Sequence, residues 1–235
     1  MREGDLDGPV RPGREEQGRA RALSAPLPQP GSGAMASSEA QLVRWRAHPR
    51  YARARSWLET HGRLLALLRA LCDRSDAADG AARAGDARRV REEELPALRD
   101  TLDALELQLD AHSTLEDRKL FPFLHTHFRG AFGGAREQFA REHEALDATL
   151  ATLADGLAEL ERLAAPSEAA TRNALCERTG AMRDTTAALE RAMRAHFAAE
   201  EKQCVELMLG MSDAQNDAYA AFRMVPPPPP TRSKL

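Results

Sequence analysis

Between residues 50 and 210 the apolar positions recur at alternating intervals of three and four, the repeat that lays one stripe along one side of an α-helix. Trp57, Leu58, His61, Leu64, Leu65, Leu68, Leu71 and Cys72 form one stripe, and Leu98, Leu102, Leu105, Leu109 and His112 a second. Phe139, His143, Leu146, Leu150, Leu153, Leu157 and Leu160 form a third, and Leu175, Met182, Leu189, Met193 and His196 a fourth. The positions between them are mostly Ala, Glu and Arg, strong helix formers, with few β-branched side chains to favour strands. The pattern predicts an all-α domain of four long helices. Breaks are expected where Gly, Pro, Asp and Ser collect, at DRSDAADGAARAGDA (73–87), THFRGAFGGA (126–135) and AAPSEA (164–169). The short second and third connections favour antiparallel neighbours, so the expected architecture is an antiparallel up-down-up-down four-helix bundle spanning 49–211. Pro96 is expected either in the first turn of helix two or as a kink in a helix begun earlier.

Outside that span the composition changes. Residues 1–48 are rich in Gly, Pro and Arg with no apolar period, and the segment is expected to be disordered. Met35, followed by ASSEA, reads as a second candidate start. The arginines hint at a mitochondrial transit peptide, but Glu3, Asp5, Asp7, Glu15 and Glu16 argue against one. The 235 residues are 43% hydrophobic, enough for one domain with tails at both ends. Lys and Arg total 33 against 36 acids, a net charge of -3, and no basic stripe interleaves with aromatic residues, so nucleic acid is not an expected partner. No apolar run is long enough to cross a bilayer and no hydrophobic core of a secretory signal opens the chain, so a soluble intracellular protein is expected. Cys72, Cys176 and Cys204 form no Cys-x-x-Cys pair, which argues against a disulfide framework and a thiolate zinc site.

The chemistry sits in a repeated motif. HSTLEDRKLFPFL, from His112, carries a glutamate four residues on, Glu116, and a second acid, Asp117, before an apolar stretch. HFAAEEKQCVELML, from His196, has the same plan with Glu200 and Glu201. Four residues is about one helical turn, so histidine and glutamate project from one face. Upstream of each motif lies one histidine preceded by an aromatic residue at minus four: Trp57 before His61, and Phe139 before His143. The separations from His61 to His112 and from His143 to His196 are 51 and 53 residues, so two hairpins of one design would bring four histidines and two carboxylates around a pseudo-twofold axis. Imidazole and carboxylate together suit iron, with manganese or zinc as further choices, and a carboxylate can bridge two ions where an imidazole nitrogen cannot.

This spacing resembles the hemerythrin-like family, the HHE cation-binding domain, over about 50–210; the Leu-Phe-Pro after Asp117 is similar to that family too. The resemblance implies His61, His112, His143 and His196 as terminal ligands, Glu116 and Glu200 as bridging carboxylates, and two non-haem iron ions as the cofactor. It makes Glu201 the competitor of Glu200. Where oxygen-carrying members have another histidine four residues after the first on helix three, this chain has Asp147, a further candidate ligand. A hard anionic oxygen there would favour the ferric state, so iron sensing, storage or redox chemistry with dioxygen or peroxide is expected ahead of reversible oxygen carriage. No specific enzyme activity follows, and the alternative is a helical interaction module without a redox-active metal site. His125, His127 and His48 are weak candidates for metal contact. At the other end, Ser233, Lys234 and Leu235 after a proline run match the tripeptide read by the peroxisomal import receptor, so the expected destination is the peroxisome.

Overall fold

The computed structural model describes residues 39–164 and 172–226, and among them there is helix and no strand. Helix α1 is Glu39–Arg46 and α2 is Ala52–Ala84. A continuous helical run over 87–127, α3, holds two single π-turns, Val90–Glu94 and Glu116–Leu120. Then come α4 (Arg129–Phe132), α5 (Ala135–Leu163), α6 (Arg172–Gly210) and α7 (Asp213–Ala221). The long helices α2, α3, α5 and α6 form the bundle, with α2 against α3 and α6, and α5 against the same two. Cross-helix pairs run in opposite order: His61 meets Glu201, Ser75 meets Thr186 and Asp79 meets Thr179, so α2 and α6 are antiparallel. Asp117 with His143 and Arg99 with Glu161 show the same for α3 and α5. The all-α antiparallel four-helix bundle expected from the stripes is the observed fold.

The stripes form the core, and the core has two parts. Leu64, Leu68, Leu71, Leu98, Leu102, Leu105, Leu109, Leu146, Leu150, Leu153, Leu157 and Leu189 fill the body of the bundle. Each such leucine stabilises the fold by about 1.5–3 kcal/mol through burial. The second cluster is aromatic, with Trp45, Trp57, Phe121, Phe123, Phe132, Phe139 and Met208 at one end. All four stripe histidines lie at the boundary of these two clusters.

Three expectations are corrected. The first break is far shorter than DRSDAADGAARAGDA: α2 continues to Ala84, and only Gly85 and Asp86 interrupt. Ser75, Ala78, Asp79, Ala81 and Ala82 are buried, so tertiary contacts hold as helix a stretch whose Asp, Ser and Gly read as a loop. Gly85 ends it with φ 81, a left-handed conformation that a side chain would strain. Second, the segment 1–48 contains α1, docked because Trp45 is buried and donates to Glu206 Oε1 at 2.8 Å. Residues 1–38, including Met35, lie outside the described residues. Third, the tail 212–235 begins with α7, which Ser212 and Gln215 start with reciprocal side-chain caps. Ser233, Lys234 and Leu235 lie outside the described residues, as do 165–169 of the third break.

Candidate metal centre

Each π-turn ends two residues before a proline, Pro96 and Pro122. A proline inside a helix donates no hydrogen bond and its ring crowds the carbonyl four residues back; one extra residue in the turn relieves that crowding. For Pro122 that carbonyl is Arg118 O, which accepts instead from Val225 N–H at 2.7 Å. Pro96 thus lies within a helix begun at Ala87. The Leu-Phe-Pro of the first motif explains why the turn carrying Glu116 and Asp117 is a π-turn, while Glu200 and Glu201 stand in regular helix.

The six ligands suggested by the sequence meet in one layer. His61, His112, His143 and His196 are 1–4% exposed, and Glu116 and Glu200 are fully buried. Each carboxylate is shared between the two histidine pairs. Glu116 Oε1 is 3.1 Å from His112 Nε2 and 3.9 Å from His61 Nε2, and its Oε2 is 3.3 Å from His143 Nε2. Glu200 Oε1 is 3.0 Å from His196 Nε2 and 3.5 Å from His143 Nε2, and its Oε2 is 3.5 Å from His61 Nε2. Two groupings of donor atoms result, His61 with His112, Glu116 and Glu200, and His143 with His196 and Glu200, each with its atoms within 4.8 Å of one another. Two ligand bonds of about 2.0–2.2 Å span at most about 4.4 Å, so the widest-spaced donors need to close by only a few tenths of an ångström to share an ion.

On the other side of the rings, carboxylates take the Nδ1 atoms. Glu201 Oε1 is 3.0 Å from His61 Nδ1, Asp117 Oδ2 is 3.1 Å from His143 Nδ1, and Glu142 Oε2 is 2.7 Å from His196 Nδ1. The acid that follows each His-x-x-x-Glu thus braces a histidine on a different helix and leaves its Nε2 facing inward. Glu201 therefore lies behind His61, and Glu200 is the carboxylate within the layer. Trp57 Nε1 donates to Glu116 Oε1 at 2.6 Å, fixing that carboxylate. Glu142 and Trp57 carried no sequence signal for these roles: Glu142 is one acid among many on α5, and Trp57 read as stripe.

Asp147 is not in the layer. It is exposed, because Leu146 and Leu150 take the inward positions of that part of α5 and an aspartate is too short to reach back. His125 and His127 sit at the end of α3, where His127 packs on Phe123 with ring centroids 4.2 Å apart, and His48 accepts from Arg50 N–H.

Charge follows the geometry. Burial pulls the His143 imidazole down, but Asp117, Glu116 and Glu200 outweigh it and push it up to about 12. The same contest raises His61 to about 9 against Glu116, Glu201 and Glu200, and His196 to about 9 against Glu200 and Glu142. His112, which has no carboxylate on its Nδ1 among the described residues, is left to burial and falls to about 4. Burial would raise both glutamates, yet the surrounding histidines hold Glu116 and Glu200 below the usual carboxylate range.

Seven buried polar atoms of this layer have no hydrogen-bond partner among the described residues: the Nε2 of His61, His112, His143 and His196, Glu116 Oε2, and both oxygens of Glu200. Buried polar atoms are almost always satisfied, and leaving one unpaired costs about 1–3 kcal/mol. Seven facing into one layer, in two groupings, fit cations that their lone pairs would hold. A helical bundle with a buried layer of imidazoles and shared carboxylates is a cation-binding bundle. Residues 53–207 match the hemerythrin HHE cation binding domain, and the chain belongs to that family. No curated protein and no solved structure matches the chain.

Proposed function

We propose that His61, His112, His143 and His196 with Glu116 and Glu200 hold two metal ions, that these are non-haem iron ahead of manganese or zinc, and that the protein binds, senses or reacts with dioxygen or peroxide. The observation that carries this reading is the set of seven unpaired buried donor atoms split over two histidine pairs, with both carboxylates common to the two. When bound, an iron pair would supply redox chemistry toward dioxygen or peroxide. Glu201, Asp117 and Glu142 keep three imidazoles aimed inward, Trp57 holds Glu116, and the leucine and aromatic clusters on either side exclude water from the layer. Asp147, exposed on α5, leaves the chain four imidazoles in this layer. Metal analysis after anaerobic iron loading tests the reading. About two irons per chain, with an optical change on admission of air or peroxide, supports it. No metal taken up, with the fold unchanged by chelators, overturns it in favour of an interaction module.

We also propose that Ser233, Lys234 and Leu235 direct the protein to the peroxisome through the import receptor. A fluorescent fusion placed before residue 35 should enter peroxisomes, and removing the tripeptide should leave it in the cytosol. Equal distributions of the two would overturn the proposal.

A further inference from the structure

A cleft of about 430 Å³ opens between α2, α3 and α7 directly beside the centre. Its floor is Trp57 and His112, both of which touch Glu116 Oε1, at 2.6 and 3.1 Å. Along α2 the lining runs from Arg53 to Arg63, about 15 Å at 1.5 Å per residue. The two ends differ. One carries Glu59, Thr60, Arg63 and Gln108; Glu59 is paired with Arg55 Nε at 2.8 Å, and Arg63 makes a hydrogen bond to Thr60 Oγ1 at 2.8 Å but no ion pair among the described residues. The other carries Leu115, Met208 and Tyr219, while Arg53 there is already engaged by Asp213 and Met211 O. A cleft with a guanidinium that has no ion pair among the described residues at one end, an apolar wall at the other and an indole between them matches a molecule with an anionic head and an apolar body.

We propose that this cleft binds a small amphipathic carboxylate, its head at Arg63, Thr60 and Gln108 and its body laid over Trp57 toward Leu115, Met208 and Tyr219. Such a ligand covers the His112 edge of the buried layer, where, among the described residues, no carboxylate braces Nδ1 as one does in the other three histidines of the layer. Binding does not depend on metal; that it would cover a metal centre rests on the function proposed above.

The test is calorimetric titration of octanoate into the full chain, metal-free and iron-loaded, with metal content measured on every variant. Octanoate should bind both forms, and octanol and butyrate should each bind at least about fivefold more weakly, the first lacking the charge and the second the apolar body. Arg63→Gln should weaken octanoate about five- to tenfold. Ala111→Trp, which places an indole in the cleft from an exposed position of α3, should abolish binding and leave metal content unchanged. A second cleft, lined by Leu42, Leu65, His61 and Glu201, shares Glu59 and Arg63 with the first and serves as the control; the two tryptophan variants, not Arg63→Gln, tell the clefts apart, and Gly62 has open space around it. Absence of octanoate binding to the folded parent overturns the proposal. So does loss of binding in Gly62→Trp but not in Ala111→Trp. Metal uptake stands or falls separately, because it is measured independently of octanoate.

Discussion

Helices α2 and α6 face each other across two buried polar layers that are satisfied in opposite ways. In the layer of Ser75, Asp79, Thr179 and Thr186 the protein supplies the partners. Asp79 Oδ2 accepts from Arg83 Nε at 3.0 Å and Arg183 Nη1 at 2.7 Å, its Oδ1 is 3.3 Å from Thr179 Oγ1, and Ser75 and Thr186 hydroxyls are 3.1 Å apart. The layer of His61, His112, Glu116, His143, His196 and Glu200 is equally buried, yet seven of its atoms lack partners among the described residues. Burial of polar groups by itself therefore says nothing about ligands. What separates a structural layer from a binding one is whether the protein completes its own hydrogen bonds.

Removing a shared carboxylate should have the largest effect on that contrast. Glu116→Ala and Glu200→Ala should each lower iron content by about half or more, since each deletes donors common to both histidine pairs, whereas His125→Ala should leave it unchanged. Iron-loaded thermal stability should fall with the content, and the metal-free form should change much less. Iron content equal to the parent in both glutamate variants would sink the dinuclear assignment.

The other layer should respond in the reverse manner. Asp79→Ala should cost about 1–2 kcal/mol in urea unfolding whether or not metal is present, because Arg83 and Arg183 return to water and Thr179 keeps its bond to Leu175 O. Iron content should not move; a drop would show that the two layers are coupled.

Proton binding offers a third, smaller contrast. His61, His143 and His196 have raised values in the metal-free protein, so their stabilisation is fully present below about pH 6.5. It is lost as pH rises through about 9 for His61 and His196 and on toward about 12 for His143. His112, lowered to about 4, acts oppositely and erodes stability as pH falls below about 6.5. Glu116 and Glu200, both lowered, stabilise above about pH 4.5 and lose that contribution below it. Metal-free protein should be most stable near pH 6.5 and lose stability toward pH 9.5. Iron-loaded protein should not show that alkaline loss, since ligated imidazoles have already given up their protons. Parallel urea midpoints for the two forms across this range would count against histidine ligation.

The smallest effect is expected at Asp147. Asp147→Ala should leave iron content and stability within about 0.5 kcal/mol of the parent, as for an exposed position away from special contacts. A marked loss of iron would return Asp147 to the ligand set.

What the chain determines locally could be read directly. The stripes at three and four predicted the long helices, and the two His-x-x-x-Glu motifs with His61 and His143 named the six groups of the buried layer, because residues one turn apart on a helix share a face in any fold. Registration between helices depends on all four packing together, and only the tertiary structure decided it. Consecutive acids such as Glu200 and Glu201 differ by about 100° around the helix, and the rotation of α6 against its neighbours selects which one enters the layer. The same rotation on α5 turns Asp147 outward while Glu142 reaches His196. The extension of α2 through 73–84 and the docking of α1 by Trp45 likewise rest on partners a hundred or more residues away, Thr179, Thr186 and Glu206, which no local pattern can reveal.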